Sequence, residues 1–405
     1  MALTAITNAQ IFDGEKAVGV RTVVIDGGSI ARVGGDAPEG SEIVVDGGGA
    51  TLLPGLIDAH VHSAPGSLAL ALRFGVTTEL EMQGMNTREN RGAVTDDDTQ
   101  ADVRSSGFAI TPPGGHPSEL MPEGFRPKWD LPPVMPLMPF STTPEEAAAF
   151  VPQLLARGSD FIKFMIDDGS VEGHPGLPVL DQATVRAGVA EAKKYGALTV
   201  AHALTVEATR TAAEAGIDGV THVFMDQPHT AEIISLIKDS GMFVIPCVTL
   251  NASMMGITGG ELADDPRVAA RLDAAWDRTL RSSYDRYPQG KLHDVYDTVR
   301  ALDAAGVDVL AGTDASISET FFGGLAHGAS LHHELQYLVA AGLTPVRALR
   351  AATATTARRF RLSDRGRIAE GLRADLLLVD GDPTSNISDT LNTRAVWRRG
   401  TRLAA

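Results

Sequence analysis

Apolar and polar positions follow two different rhythms along the chain. In the first fifty residues they alternate in short runs broken by Gly-Asp turns, as in "TAITNAQIFDG", "VRTVVIDGGSIARVGG" and "SEIVVDGGGATLLPG". This predicts short strands. The last forty residues do the same in "GRIAEGLRADLLLVDGDP" and "RAVWRRGTRL". Neither end is long enough to bury a sheet alone, so residues 1–51 and 364–405 are predicted to pair into one small β-domain.

From 52 to 363 the rhythm changes. Strand-like apolar runs occur at 55–62, 76–82, 107–111, 160–166, 197–202, 219–224, 242–248 and 307–313. Ala-rich helical runs such as "PEEAAAFVPQLLARG", "DQATVRAGVAEAKKYG" and "TVEATRTAAEAG" lie between several of them, often ending at a glycine. Eight strands alternating with helices predict an α/β fold, a (β/α)8 barrel. A doubly wound open sheet is the alternative, but no G-x-G-x-x-G follows the first strands of this region. Two connections are long. Residues 112–144 hold ten of the 22 prolines together with Met121, Met135 and Met138, and residues 249–296 contain "NASMMGITGGELADDP" followed by a charged helical stretch. Both follow predicted strand C-termini, the face on which barrel active sites are built.

The polar residues that close the strands carry the chemistry. "LLPGLIDAHVHS" ends in His60 and His62, two apart and therefore on one side of an extended strand. Two converging imidazoles suggest a metal. "SDFIKFMIDDG" places Lys163 on the face of Phe161 and Met165, where an ammonium is costly unless paired or neutralised. "LTVAHAL" ends in His202, "GVTHVF" in His222 and "VDVLAGTDAS" in Asp314. Each has a bland reading by itself: a snorkelling lysine, a satisfied core histidine, a capping aspartate. In a barrel, strand C-termini share one mouth. Four imidazoles and a carboxylate there suit zinc or a similar divalent ion, and exceed what one open tetrahedral ion requires, so two ions are expected. A desolvated, neutral lysine amine can add CO2, giving a carbamate able to bridge them.

Composition narrows the partners. A formal net charge of −16 disfavours nucleic acid and anionic membranes. The single cysteine, Cys247, allows no intrachain disulfide, and no segment reaches the length of a membrane span or resembles a signal peptide. A cytoplasmic protein acting on a small-molecule substrate is expected, self-associating as a homo-oligomer.

"PGLIDAHVH", "DFIKFM", "VAHA", "GVTH" and "GTDA", in this order, resemble motifs of the amidohydrolase superfamily, in particular its imidazolonepropionase-like and prolidase-like branch with a binuclear site. The resemblance covers nearly the whole chain. It implies a distorted barrel and a composite β-sandwich from the two chain ends. It also implies His60, His62 and Asp314 around the more buried ion, His202 and His222 around the more exposed one, and a carbamylated Lys163 between them. A metal-bridging hydroxide would be the nucleophile, and Asp314 its proton acceptor. The expected activity is hydrolysis of an amide-type C–N bond. Dipeptide hydrolysis, opening of a cyclic amide, and lactone or carbamate hydrolysis are alternatives; a non-enzymatic scaffold would have lost ligands.

His116, in "TPPGGHPSE", resembles a substrate-binding loop position of that branch, and His327, in "GGLAHGAS", a position near the mouth or a helix start. His174 is a further candidate, whereas His229, His293, His332 and His333 read as surface residues. Dipeptidase-type members tend to carry a tyrosine just after the fifth-strand histidine, where this chain has Leu204. With Met254 and Met255, this predicts a pocket for an apolar or aryl-substituted substrate.

Overall fold

The computed structural model describes residues 3–120 and 138–403. Met121 and Met135, expected to help shape the pocket, lie outside the described residues. The strands are β1 (Thr4–Phe12), β2 (Ala17–Asp26), β3 (Ser29–Val33), β4 (Ile43–Asp46), β5 (Thr51–Pro54), β6 (Leu56–Val61), β7 (Val76–Glu81), β8 (Asp102–Ser105), β9 (Ile162–Met165), β10 (Thr199–His202), β11 (Gly219–Thr221), β12 (Phe243–Ile245), β13 (Leu376–Val379), β14 (Thr393–Arg398) and β15 (Thr401–Arg402).

Both chain ends enter one sheet, in the order β15-β14-β13-β5-β1-β2-β3, with β4 beside β1. The joint is β13 running antiparallel to β5, from Leu376 opposite Pro54 to Val379 opposite Thr51. Alternation decides which side chains meet: Ile6, Val23, Ile25, Leu52, Leu376 and Trp397 form one apolar cluster.

Between the ends, the chain is α/β with two parallel sheets, β6-β7-β8 and β9-β10-β11-β12. Every residue of β6, β7, β9 and β10 is buried, as expected of strands covered on both faces. Helices alternate with them. The helix Pro144–Ala156 starts at a capping box of Thr143 and Glu146. Those at Val206–Ala215, Ala231–Ser240 and Leu292–Ala305 end on left-handed Gly216, Gly241 and Gly306. No described helix is long and apolar enough to cross a membrane.

Three departures from the sequence reading are instructive. The third ladder strand is Asp102–Ser105, not 107–111, where only Ile110 and Thr111 form isolated bridges. A strand with Asp102 and Arg104 looks too charged to bury. Here Asp102 meets Arg365 at 2.5 Å and Arg373 at 2.8 Å, cations from the far end of the chain. The run 307–313 forms no ladder. It touches its neighbours through the bridges Val244 to Val309 and Val61 to Ala315, and through Ala59 N donating to Ala311 O at 2.9 Å. Finally, Val248–Met254 is a buried helix rather than the start of a loop.

His332 is a fourth departure. It is fully buried rather than on the surface, with Nδ1 2.9 Å from Thr390 Oγ1 and Nε2 2.8 Å from the Phe74 carbonyl oxygen. His333 is half-buried, stacked on Tyr337. Burial pushes His332 down from 6.5 to about 4. The unfolded chain therefore takes up a proton below 6.5 that the folded chain refuses until about 4. The stability this histidine contributes is complete above pH 6.5 and is lost as pH falls towards 4. The loss approaches about 3 kcal/mol if the shift is fully expressed. Between pH 7 and 4, the stability difference between the wild type and His332→Gln should shrink by this order in urea titrations; a difference independent of pH refutes it.

Candidate metal centre

The strand ends aim the titratable residues at one place. Asp58, His60 and His62 share a parity along β6 and its continuation. Asp58 accepts from His60 N at 3.2 Å, from Thr313 N at 3.1 Å and from Thr313 Oγ1 at 2.8 Å, which ties the 313 segment to β6. Gly312 permits this approach. A Cβ there would stand 2.5 Å from Ile245 Cγ2 and 2.9 Å from His60 N. Asp314 N then donates to His60 O at 2.8 Å, which brings the carboxylate alongside the two imidazoles.

Backbone strain marks the same spot. His222 (φ 71°), Cys247 (φ 50°) and Asp314 (φ 65°) all sit in the left-handed region, which costs a non-glycine residue about 1–3 kcal/mol. Each lies just beyond a strand or the 309 bridge, where the unusual φ turns a side chain inward.

The imidazoles crowd together. Ring centroids are 5.3 Å apart for His60 and His62, 4.9 Å for His60 and His222, 4.6 Å for His202 and His222, and 4.1 Å for the stacked pair His116 and His202. His60 Nε2 and His62 Nε2 stand 3.0 and 2.9 Å from Asp314 Oδ1, yet this buried oxygen has no hydrogen-bond partner. Both nitrogens of buried His222 are also without a partner. Buried polar atoms are rarely left so. Donor atoms gathered closely without bonding one another are what a cation between them would satisfy, so the residues fit a metal.

Among the described residues, three trios bring their donor atoms within 4.8 Å: His60, His62 and Asp314; His60, His222 and Cys247; and His116, Glu172 and His202. The first is the trio that the sequence resemblance implied. The third departs from it, because His202 Nε2 points at Glu172 Oε1 (3.0 Å), with Asp167 Oδ2 at 3.3 Å, rather than into a pair with His222. His116 Nδ1 lies 2.6 Å from Glu119 and 3.7 Å from Glu172.

Burial sets the charge states. It pushes His60 down to about 4 against the opposing pull of Asp314, and holds His202 and His222 well below the usual imidazole range. All three are neutral imidazoles at neutral pH. For Asp314, burial pushes upward, but His60 and His62 outweigh it and keep the carboxyl ionised. For His116, burial is outweighed by Glu119 and Glu172, which raise it. Lys163, 1% exposed, donates to Thr221 Oγ1 at 2.5 Å, and burial lowers its ammonium from 10.5 to about 7.

These groups border a cavity of about 680 Å³, whose lining includes His60, His62, His116, Lys163, His202 and Asp314. His222 lies behind them. Phe108, Leu120, Leu204, Leu250, Met254 and Phe322 give the cavity its apolar walls.

The Amidohydrolase family model matches residues 51–403. The chain belongs to this family. Membership bears out the resemblance read from the motifs, and with it the expected enzyme class, a metal-dependent hydrolase acting on C–N bonds. Among amidohydrolase relatives, an uncharacterized Mycobacterium tuberculosis protein is 26% identical over 364 residues, covering 89% of this chain and 85% of that one. An adenine deaminase of Lysinibacillus sphaericus is 37% identical over 75 residues, 18% of this chain and 12% of its own length. The chain thus spans only a small part of that deaminase. The fold superposes on a Xaa-Pro dipeptidase crystallised with methionine in its active site (TM-score 0.74, 23% identity, 100% of both chains).

Within this amidohydrolase, three residues expected at the pocket stand apart. His327 is fully buried and does not border the cavity. Its nitrogens face Glu79 Oε1 and the Ser316 carbonyl oxygen, both at 2.8 Å, which makes it a brace between β7 and the 314 segment rather than a substrate ligand. His174 is exposed and also outside the cavity lining, as is Met255. His116 and Leu204 do border it.

Glu172, Asp167 and Cys247 are site residues that the sequence reading missed. Asp167 and Glu172 lie in a loop without periodicity, and Cys247 reads as one apolar residue in "MFVIPCVTL". The parity of Asp58 with His60 was the one usable signal for a further acid.

Proposed function

We propose that the protein is a binuclear amidohydrolase that cleaves an amide-type C–N bond in a small, apolar or aryl-substituted substrate. The observation that carries this reading is His222: both nitrogens buried and unpartnered, with its ring between those of His60 and His202. His60, His62 and Asp314 would hold one divalent ion and His202 and His222 a second, most simply zinc given the imidazole and carboxylate donors. Lys163, neutral at about half occupancy near pH 7, would add CO2 through Nζ, losing a proton and becoming a carbamate between the two sets. The Glu172 contact of His202 would then belong to a shell that orients this imidazole.

Two bound ions would supply a hydroxide nucleophile near neutral pH and polarise the substrate carbonyl. The chain does the rest. Asp314 accepts the proton released on attack and returns it to the departing nitrogen. His116, its imidazole biased towards the protonated form by Glu119 and Glu172, is placed to donate to a substrate oxygen. Leu204 and Met254 exclude water and take up the apolar group.

The architecture we propose around this site is a distorted (β/α)8 barrel over 52–363, with a β-sandwich from 1–51 and 364–405. It is supported by the shared end sheet and by the bridges that place segment 309–315 between β12 and β6.

The test is kcat/KM of metal-loaded protein on matched substrates. An aryl amide should be cleaved about tenfold or more better than an Xaa-Pro or Xaa-Arg dipeptide, the scale of an apolar group gained in a pocket. Equal or better turnover of the dipeptides would mean a prolidase-like enzyme.

A further inference from the structure

The cavity holds a cation that the proposed chemistry does not use. Lys163 and Arg286 are the one lysine and one arginine among its described lining residues, and Lys163 lies at the candidate metal centre. Arg286 has no ion-pair partner among the described residues, and its buried Nε has no hydrogen-bond partner. In a protein with 51 acidic residues against 35 lysines and arginines, a partly buried guanidinium is ordinarily neutralised. This one is held ready instead. Tyr284 N donates to Ser253 Oγ at 2.9 Å, Asp285 N to Ser253 O at 3.0 Å and Tyr287 N to Met254 O at 2.7 Å. Asp285 takes φ 46°, so the backbone on both sides of Arg286 is pinned to the helix Val248–Met254, which follows β12.

The side chain is directed as well. It passes Gly173, where a Cβ would come within 3.9 Å of Arg286 Cδ and 3.5 Å of its carbonyl oxygen. Gly173 adjoins Glu172, the carboxylate that touches His202. The guanidinium stem therefore lies beside the segment that carries Glu172 and borders a cavity whose walls include Leu204, Leu250, Met254 and Phe322.

We infer that Arg286 binds a carboxylate carried by the substrate, remote from the scissile carbonyl. The substrate class is then an aryl or apolar amide bearing one free acid, such as an N-acyl amino acid. A planar guanidinium pairs with a carboxylate through two parallel N–H···O bonds. Apolar walls strengthen that pair by excluding water. The inference rests on the small-molecule amide reading above, so its test separates the two.

Calorimetric binding of 3-phenylpropionate and the neutral, non-hydrolysable 3-phenylpropanol to the zinc-loaded protein is the measurement. These probes share shape and differ in charge. The wild type should prefer the carboxylate by about tenfold or more, Arg286→Gln by less than about twofold, and Arg286→Lys, which keeps the charge but not the fork, by an intermediate factor. Any carboxylate affinity of the metals themselves survives both substitutions and is thereby subtracted. Undiminished selectivity in both variants overturns the inference, as does equal loss of acid and alcohol, which would assign Arg286 to shaping the cavity wall. Selective binding without amide turnover would leave the inference standing and refute the hydrolytic reading alone.

Discussion

Protein loaded with zinc in bicarbonate buffer should carry about two divalent ions per chain, and Lys163→Ala one or fewer. The reason is local. His60, His62 and Asp314 form one converging donor set, while His222 stands with two bare nitrogens beside it. Lys163, on β9 and already bonded across to Thr221 on β11, is a long side chain that could serve both sets. Removing its amine would remove the proposed carbamate and uncouple the sets. Lys163→Met, which keeps most of the buried volume, should behave like the alanine variant, and so separates loss of a ligand from loss of packing. A second readout needs no substrate. Ions that join several strands bind only the folded state, so at one hundred times Kd they should add about 2.7 kcal/mol, and chelation should remove it. Elemental analysis giving one ion in the wild type and no change in Lys163→Ala would end the bridging role.

Asp314→Asn should lower kcat by about 10²-fold or more while leaving much of the metal bound in excess zinc. Asparagine keeps the shape and one ligand oxygen but cannot accept a proton. It is also tolerated at φ 65°, so the backbone should not move. kcat and kcat/KM should fall together, the signature of an interaction made only in the transition state. A variant with full turnover of the true substrate would remove Asp314 from proton transfer; a variant that merely loses metal would make it a ligand alone. The carboxyl of the wild type stays ionised because His60 and His62 outweigh its burial.

The site was legible to the extent that it follows strand periodicity. Two-residue alternation puts His60 and His62 on one side, and the place of His202, His222 and Asp314 at the ends of apolar runs brings them to one mouth once the strands are parallel. The helices show the same legibility, since cap residues and left-handed glycines act within a turn or two of the chain. These are local causes, and a linear reading recovers them.

What only the tertiary structure decided depends on partners distant in sequence. Asp102–Ser105 is a strand because Arg365 and Arg373, more than 260 residues away, neutralise Asp102. His327 is withdrawn from the cavity by Glu79, and His332 is buried by Phe74 and Thr390. Glu172 comes from an irregular loop closed on itself by bonds such as His174 N to Gly169 O, and Arg286 from one pinned to the helix Val248–Met254, and no period in the sequence announces them. Periodicity records which face of an element is buried. It does not record which distant side chain will be there to pair with a charge, and burial without a known partner cannot be told from exposure until the chain has folded.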